Sequence, residues 1–152
     1  MDHIKIIAEN RKARHDYFIE DELEAGMMLK GTEVKSLRQG RANLKDAYAK
    51  IKNGEIWVHQ LHISPYPFAY YDNHDPLRMR KLLLHANEIK KLIGKLAERG
   101  YALIPLRLYF RQGKVKVLLG LAKGKRQYDK RESMRQRDQK RDLDRIRKDY
   151  KK

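Results

Sequence analysis

Residues 15–29, 101–111 and 115–121 alternate apolar and polar side chains with a period of two, and this pattern restricts the fold more than any other feature of the chain. Over 15–29, Tyr17, Ile19, Leu23, Ala25, Met27 and Leu29 share one face, with Asp21 the exception; Glu20, Glu22 and Glu24 share the other. Over 101–111, Ala102, Ile104, Leu106, Leu108 and Phe110 are expected on one face. A Gln112-Gly113 turn follows, and Val115, Val117, Leu119 and Leu121 then line the inner face of a last strand, with Lys114 and Lys116 outward. Asn53-Gly54, set between two further alternating runs, predicts a type I′ hairpin, since both residues accept positive φ. Counting outward pairs Lys52 with Glu55, Ile51 with Ile56, Lys50 with Trp57 and Ala49 with Val58.

The remaining segments fit around these strands. Residues 31–40 predict a short helix with Thr32 as N-cap, Val34 and Leu37 on one side, and Gly40 as its stop. Residues 64–76 are a loop by their prolines and turn residues, and 81–85 a short strand, although its apolar run alone could equally begin a helix. A second helix is expected from an Asn87 N-cap, burying Ile89, Leu92, Ile93 and Leu96 and ending near Gly100. About six short strands with two helices between them and no βαβ rhythm give a mainly β fold with short helices. A small antiparallel barrel of the oligonucleotide-binding (OB) type over 1–122 fits best, because closure removes exposed edges; an open α+β sandwich is the alternative.

Charge divides the chain differently. Lys and Arg number 36 against 20 Asp and Glu, a net +16. Residues 123–152 carry 14 basic and 6 acidic side chains, so half of the excess lies in the last 30 residues. Only Tyr128, Met134, Leu143, Ile146 and Tyr150 are large apolar or aromatic residues there. Such a segment cannot bury enough surface to offset its ordering entropy, so it is expected to be disordered when free. It lacks Gly and Pro beyond Gly124, and Leu143, Ile146 and Tyr150 fall at helical spacing; a tail that becomes helical against a polyanion follows.

The residue types exclude much chemistry. With no Cys there is no disulfide framework, thiol catalysis or Cys-based zinc site. No run of 18 apolar residues spans a membrane, and the start lacks a signal-peptide core, so a cytoplasmic protein is expected. His59 and His62 face opposite sides of a strand and cannot share a metal. Asp72, His74 and Asp75 read as a polar turn, and Glu20, Glu22 and Glu24 as a solvated strand face in preference to a metal-dependent nuclease centre. No enzyme activity, metal or cofactor is expected. Binding is better supported: Arg11, Lys12, Arg14 and His15 cluster before the first alternating run and suit phosphate contacts. His15, Tyr17, Trp57, Tyr66, Tyr70 and Tyr71 offer rings for stacking on unpaired bases. From the residues alone this is an OB-like RNA-binding protein with a conditional basic tail.

Several segments, in order along nearly the whole chain, resemble the small protein B (SmpB) family. They are NRKARHDYFIEDELEAGM (10–27), GTEVKSLRQGRANLKDAY (31–48), DPLRMRKLLLH (75–85), GYALIPLRLYF (100–110) and VKVLLGLAKGKRQYDKRE (115–132). The resemblance implies a non-enzymatic monomer that binds the tRNA-like domain of transfer-messenger RNA (tmRNA). It implies delivery of that RNA to stalled ribosomes, with the tail entering the empty mRNA channel by the small-subunit decoding region. Matching positions place RNA contacts on Asn10, Arg14, Glu24, Leu83 and Lys116. Lys81 shares the face of Leu83, for which a core position is the alternative, and Lys123, Lys125 and Arg126 continue the RNA-binding set. Tyr128, Asp129, Lys130, Arg131 and Ile146 match ribosome-contacting tail positions. A structural ribosomal or rRNA-binding OB protein is the competing function.

Overall fold

A computed structural model describes residues 3–98 and 100–124. The chain runs β1 (Ile4–Glu9), α1 (Arg11–Asp16), β2 (Tyr17–Met27), α2 (Gly31–Arg38), β3 (Ala42–Asn43), β4 (Tyr48–Lys52) and β5 (Glu55–His59). It continues through β6 (His62–Ile63), β7 (Arg80–Leu83), α3 (Ala86–Leu96), β8 (Tyr101–Arg111) and β9 (Lys114–Gly124). Seven strands pair antiparallel in the order β1-β8-β4-β5-β7-β2-β9, and β8 also pairs with β9, so the ladder returns on itself. β3 and β6 form a separate two-stranded sheet. The fold is mainly β with short helices. No helix among the described residues is long and apolar enough to cross a membrane.

The hairpin has the expected register, with Lys50 opposite Trp57 and Ile51 opposite Ile56. Asn53 and Gly54 both take positive φ (53° and 74°), as do Gln112 and Gly113 (50° and 79°), the conformation that a two-residue turn matched to strand twist requires. Strand β9 continues to Gly124, past residue 122.

The two long alternating runs behave differently from their sequence reading. Each contains a bulge, at Glu20 in β2 and at Leu106 in β8. One unpaired residue slips the pleat, so residues of the same parity before and after it face opposite sides. Leu23, Ala25 and Met27 therefore point into the main core with Leu108 and Phe110, whereas Tyr17, Ile19, Ala102, Ile104 and Leu106 form a second cluster around Ala13 of α1. Gly120 makes room for the bulge: a Cβ there would lie 2.8 Å from Leu106 Cδ1.

Further corrections concern ends and omissions. Helix α1 and strand β1 were not expected as elements; β1 pairs with β8 from Ile4 opposite Arg111 to Glu9 opposite Arg107. Lys30, not Thr32, caps α2, because Glu33 reaches back to accept from the Lys30 backbone N–H at 2.8 Å. His85, not Asn87, caps α3 in the same way through Glu88 at 3.1 Å. Only Leu92 of α3 is fully buried; Ile93, expected inside, is 46% exposed because the helix covers the sheet along a narrow stripe.

A polar hub anchors α2 to the loop before β7. Glu33 and Arg80 are both fully buried and hydrogen-bonded to each other, and Arg78 adds a second ion pair to Glu33 at 2.5 Å. His74 is buried between the Thr32 hydroxyl and the Ile63 carbonyl, each 2.9 Å from a ring nitrogen, which gives it a structural place in that loop.

Candidate nucleic-acid interface

The outward residues of four ladders line up across the sheet. Ile6 of β1 lies opposite Tyr109, Tyr109 opposite Lys116, Lys116 opposite Gly26, and Gly26 opposite Leu83. The next row holds Glu9, Arg107, Leu118 and Glu24. Thus Glu24, Leu83 and Lys116, distant in sequence, share one face. Leu83 is 50% exposed while its neighbour Leu82 is in the core, so the strand period turns Leu83 outward. Gly26 lets Leu83 settle on the β2 backbone: a Cβ on Gly26 would meet Leu83 Cβ at 3.3 Å.

Glu24 is not a bare carboxylate on this surface. It accepts a hydrogen bond from the Tyr109 hydroxyl and an ion pair from Arg111 Nη1 at 2.8 Å. The Arg111 guanidinium also lies 6.0 Å from the centre of the Tyr109 ring. Glu24 therefore holds an aromatic ring and a guanidinium in fixed positions beside Lys116, which has no ion-pair partner among the described residues. A sheet face with a placed cation, an ammonium and an exposed leucine suits phosphate contact plus packing on a base or ribose.

Burial, followed by the hydrogen bond to Glu24, pushes the Tyr109 phenol up to about 12. The sign follows: a phenol whose folded value exceeds its ordinary 10.0 contributes stability below pH 10 that is lost as pH rises toward 12. Spectrophotometric titration is expected to show a last tyrosine step near pH 12, and Tyr109→Phe is expected to remove that step and cost about 1 kcal/mol. A late step that survives in Tyr109→Phe would contradict the assignment.

The other expected residues are spread more widely. Arg11, Lys12, Arg14 and His15 lie on α1, where Arg14 joins this face by an ion pair to Glu22 at 2.8 Å. Asn10 is buried: its Oδ1 accepts from the Ala13 N–H at 3.1 Å, and its Nδ2 donates to the Leu44 and Pro105 carbonyls at 3.2 and 3.3 Å. It caps α1 and ties that helix to the β8 bulge, so it positions the basic helix. Lys81 is outward beside Leu83 and paired with Glu55 at 3.1 Å. Lys123 stands apart from Lys116, near the other end of β9, with its ammonium 5.4 Å from the Tyr101 ring centre. Lys125, Arg126, Tyr128, Asp129, Lys130, Arg131 and Ile146 lie outside the described residues.

The carboxylates of β2 do not converge. Glu20 lies near Tyr101 and raises its phenol, Glu22 pairs with Arg14 and Glu24 with Arg111, and no group of three potential ligands that could hold a metal occurs among the described residues. Tyr109 and Arg111 face outward, opposite Leu108 and Phe110, as the alternation of 101–111 places them, but nothing near them in the sequence marks them as partners of Glu24. In that row Lys116 and Leu83, each outward by the period of its own strand, supplied the signal.

The chain is similar to known proteins over most of its length. Residues 7–149 match the model of the family described as SmpB protein. An SsrA-binding protein of Geobacter sulfurreducens is 62% identical over 139 residues, covering 91% of each chain. One from Bacillus cereus is 57% identical over 148 residues, 97% of this chain and 96% of that one. A solved chain described under "tmRNA-SmpB: a journey to the center of the bacterial ribosome" superposes with TM-score 0.67 at 51% identity, over 78% of this chain and 83% of its own. With a family match across most of its length and relatives this similar, the chain belongs to the SmpB protein family.

Proposed function

We propose that this protein binds the tRNA-like domain of tmRNA and carries it to stalled ribosomes for trans-translation, acting as a cytoplasmic, monomeric RNA-binding protein and not as an enzyme. The observation that carries the reading is the shared face of Glu24, Leu83 and Lys116, with Tyr109 and Arg111 held by Glu24. The returning strand ladder supports a closed OB-type barrel as the body, over about residues 1–122. The segment 123–152, with its 14 basic residues, is the part suited to the ribosomal mRNA channel. Arg14 and Lys116 neutralise phosphates, Leu83 packs against the RNA, and Asn10 holds α1 in place for Arg11, Lys12 and His15. Sequencing the RNA that accompanies the protein purified from cells tests this. One small RNA with tRNA-like ends is expected; ribosomal RNA alone, in stoichiometric amount, would favour a structural ribosomal protein.

A further inference from the structure

The outward side of β4, β5 and β7 carries a second set of groups, of which the interface above includes only Lys81, beside Leu83. In register, Trp57 lies between Lys50 on one side and Lys81 on the other. In the next pair along the hairpin Tyr48 faces His59, their rings stacked with centroids 5.1 Å apart and planes within 6°, and Lys50 Nζ sits 5.5 Å from the Tyr48 centroid. In the other direction Lys52 faces Glu55, the one carboxylate of the group, which pairs with Lys81 at 3.1 Å. Trp57, Lys50, Lys52, His59 and the half-exposed Met79 line a groove of about 450 Å³.

None of these rings is core. Ala49, Ile56, Val58 and Leu82, the inward residues of the same strands, are the ones buried. An indole kept partly open between two ammonium groups suits an occupant that is planar and anionic at once. A nucleotide meets both demands: its base stacks on an aromatic face and its phosphates meet the lysines. A duplex offers no open base faces along its length, which selects a single strand. Neighbouring strands lie about 4.8 Å apart, so both lysine stems reach the phosphates flanking one stacked base.

We propose that this face is a second RNA site, in which an unpaired base stacks on Trp57 while Lys50, Lys52 and Lys81 receive the adjacent phosphates. It rests on the RNA-binding reading above and extends it to residues outside the Glu24–Leu83–Lys116 face.

Trp57 is the single tryptophan of the chain and so reports on its own site. The full chain is titrated with single-stranded octa-adenylate, following tryptophan emission and, with a labelled octamer, anisotropy. Saturable quenching of Trp57 is expected, with both signals giving the same midpoint. Trp57→Leu is expected to weaken the anisotropy midpoint about tenfold and Trp57→Phe to restore most of it. Affinity for the tRNA-like domain, measured on the same variants, is expected to change less than about threefold, which also shows that they fold. Octamer binding without quenching, unaltered octamer binding by Trp57→Leu, or no octamer binding beside intact tRNA-like-domain binding would each overturn the second site alone. Failure to bind either RNA would overturn the RNA-binding reading itself.

Discussion

Replacing Glu33 with alanine is expected to destabilise the protein by about 3–5 kcal/mol, read as a lower midpoint in urea at unchanged slope. Arg80 is fully buried and donates through Nε to Glu33, through Nη1 to the Leu61 carbonyl at 2.5 Å and through Nη2 to the Pro76 carbonyl at 3.2 Å. Those carbonyls satisfy donors but do not neutralise the cation. Without the carboxylate a buried guanidinium stands uncompensated, and α2 loses its tie to β7. Replacing Glu33 and Arg80 together with leucines is expected to recover much of the loss, since no fully buried lone charge remains and Arg78, left without Glu33, is partly open to solvent. A loss below about 1 kcal/mol for Glu33→Ala would contradict the hub. The pH response has the same origin. Burial works to raise the Glu33 carboxyl, but hydrogen bonds from Arg78, the Lys30 backbone and Arg80 outweigh it and hold the carboxyl below its ordinary 4.5. A depressed carboxyl contributes stability that is present above pH 4.5 and lost as pH falls through its folded value. Wild-type stability is therefore expected to fall with acid more steeply than that of the double leucine variant.

Deleting residues 125–152 is expected to separate two activities. The cut falls after Gly124 because β9 pairs that residue with Tyr17, and an earlier cut would remove part of the sheet. The shortened chain keeps the whole of the Glu24–Leu83–Lys116 face and +9 of the net +16. Affinity for the tRNA-like domain is expected to fall less than about threefold at physiological salt, the share of a few lost long-range charges. Release of ribosomes stalled on a message without a stop codon is expected to fall by at least about 100-fold, because the segment proposed for the mRNA channel and its phosphate contacts are gone. Loss of most RNA affinity on this deletion would contradict the proposed division between body and tail.

The legible parts of the molecule are those in which the cause is local. Asn53-Gly54 sets a turn, the turn sets the register, and the register pairs Lys50 with Trp57 without help from the remainder of the chain. Lys116 and Leu83 were placed outward by simple alternation within their own strands, although Leu83 was left between surface and core. What escaped depends on partners far away in sequence. The bulge at Leu106 leaves no mark in the alternation, since apolar residues cover both faces of β8 where α1 packs on it, and the bulge at Glu20 leaves only the Asp21 exception. Reading through the Leu106 bulge misplaced Ala102, Ile104 and Leu106, while nothing local pairs outward Tyr109 and Arg111 with Glu24, so Glu24 remained an unexplained acid on a basic surface. The Glu33–Arg80 pair joins residues 47 positions apart, and nothing near Glu33 distinguishes it from an exposed helical glutamate. Asn10 was expected to touch RNA, but what the structure records for it is a cap and two buried carbonyls.

The central claim is that the face of Glu24, Leu83 and Lys116 selects one tRNA-like RNA, as distinct from any polyanion. Competition in a gel shift measures it most directly, with the full chain, labelled tRNA-like domain, and unlabelled ordinary tRNA as competitor at several salt concentrations. A preference of at least about tenfold for the tRNA-like domain is expected. Lys116→Glu is expected to weaken it and to shallow the salt dependence by about one unit, while Leu83→Ala weakens it without altering that slope. Equal competition by ordinary tRNA, with both variants behaving as wild type, would contradict the account.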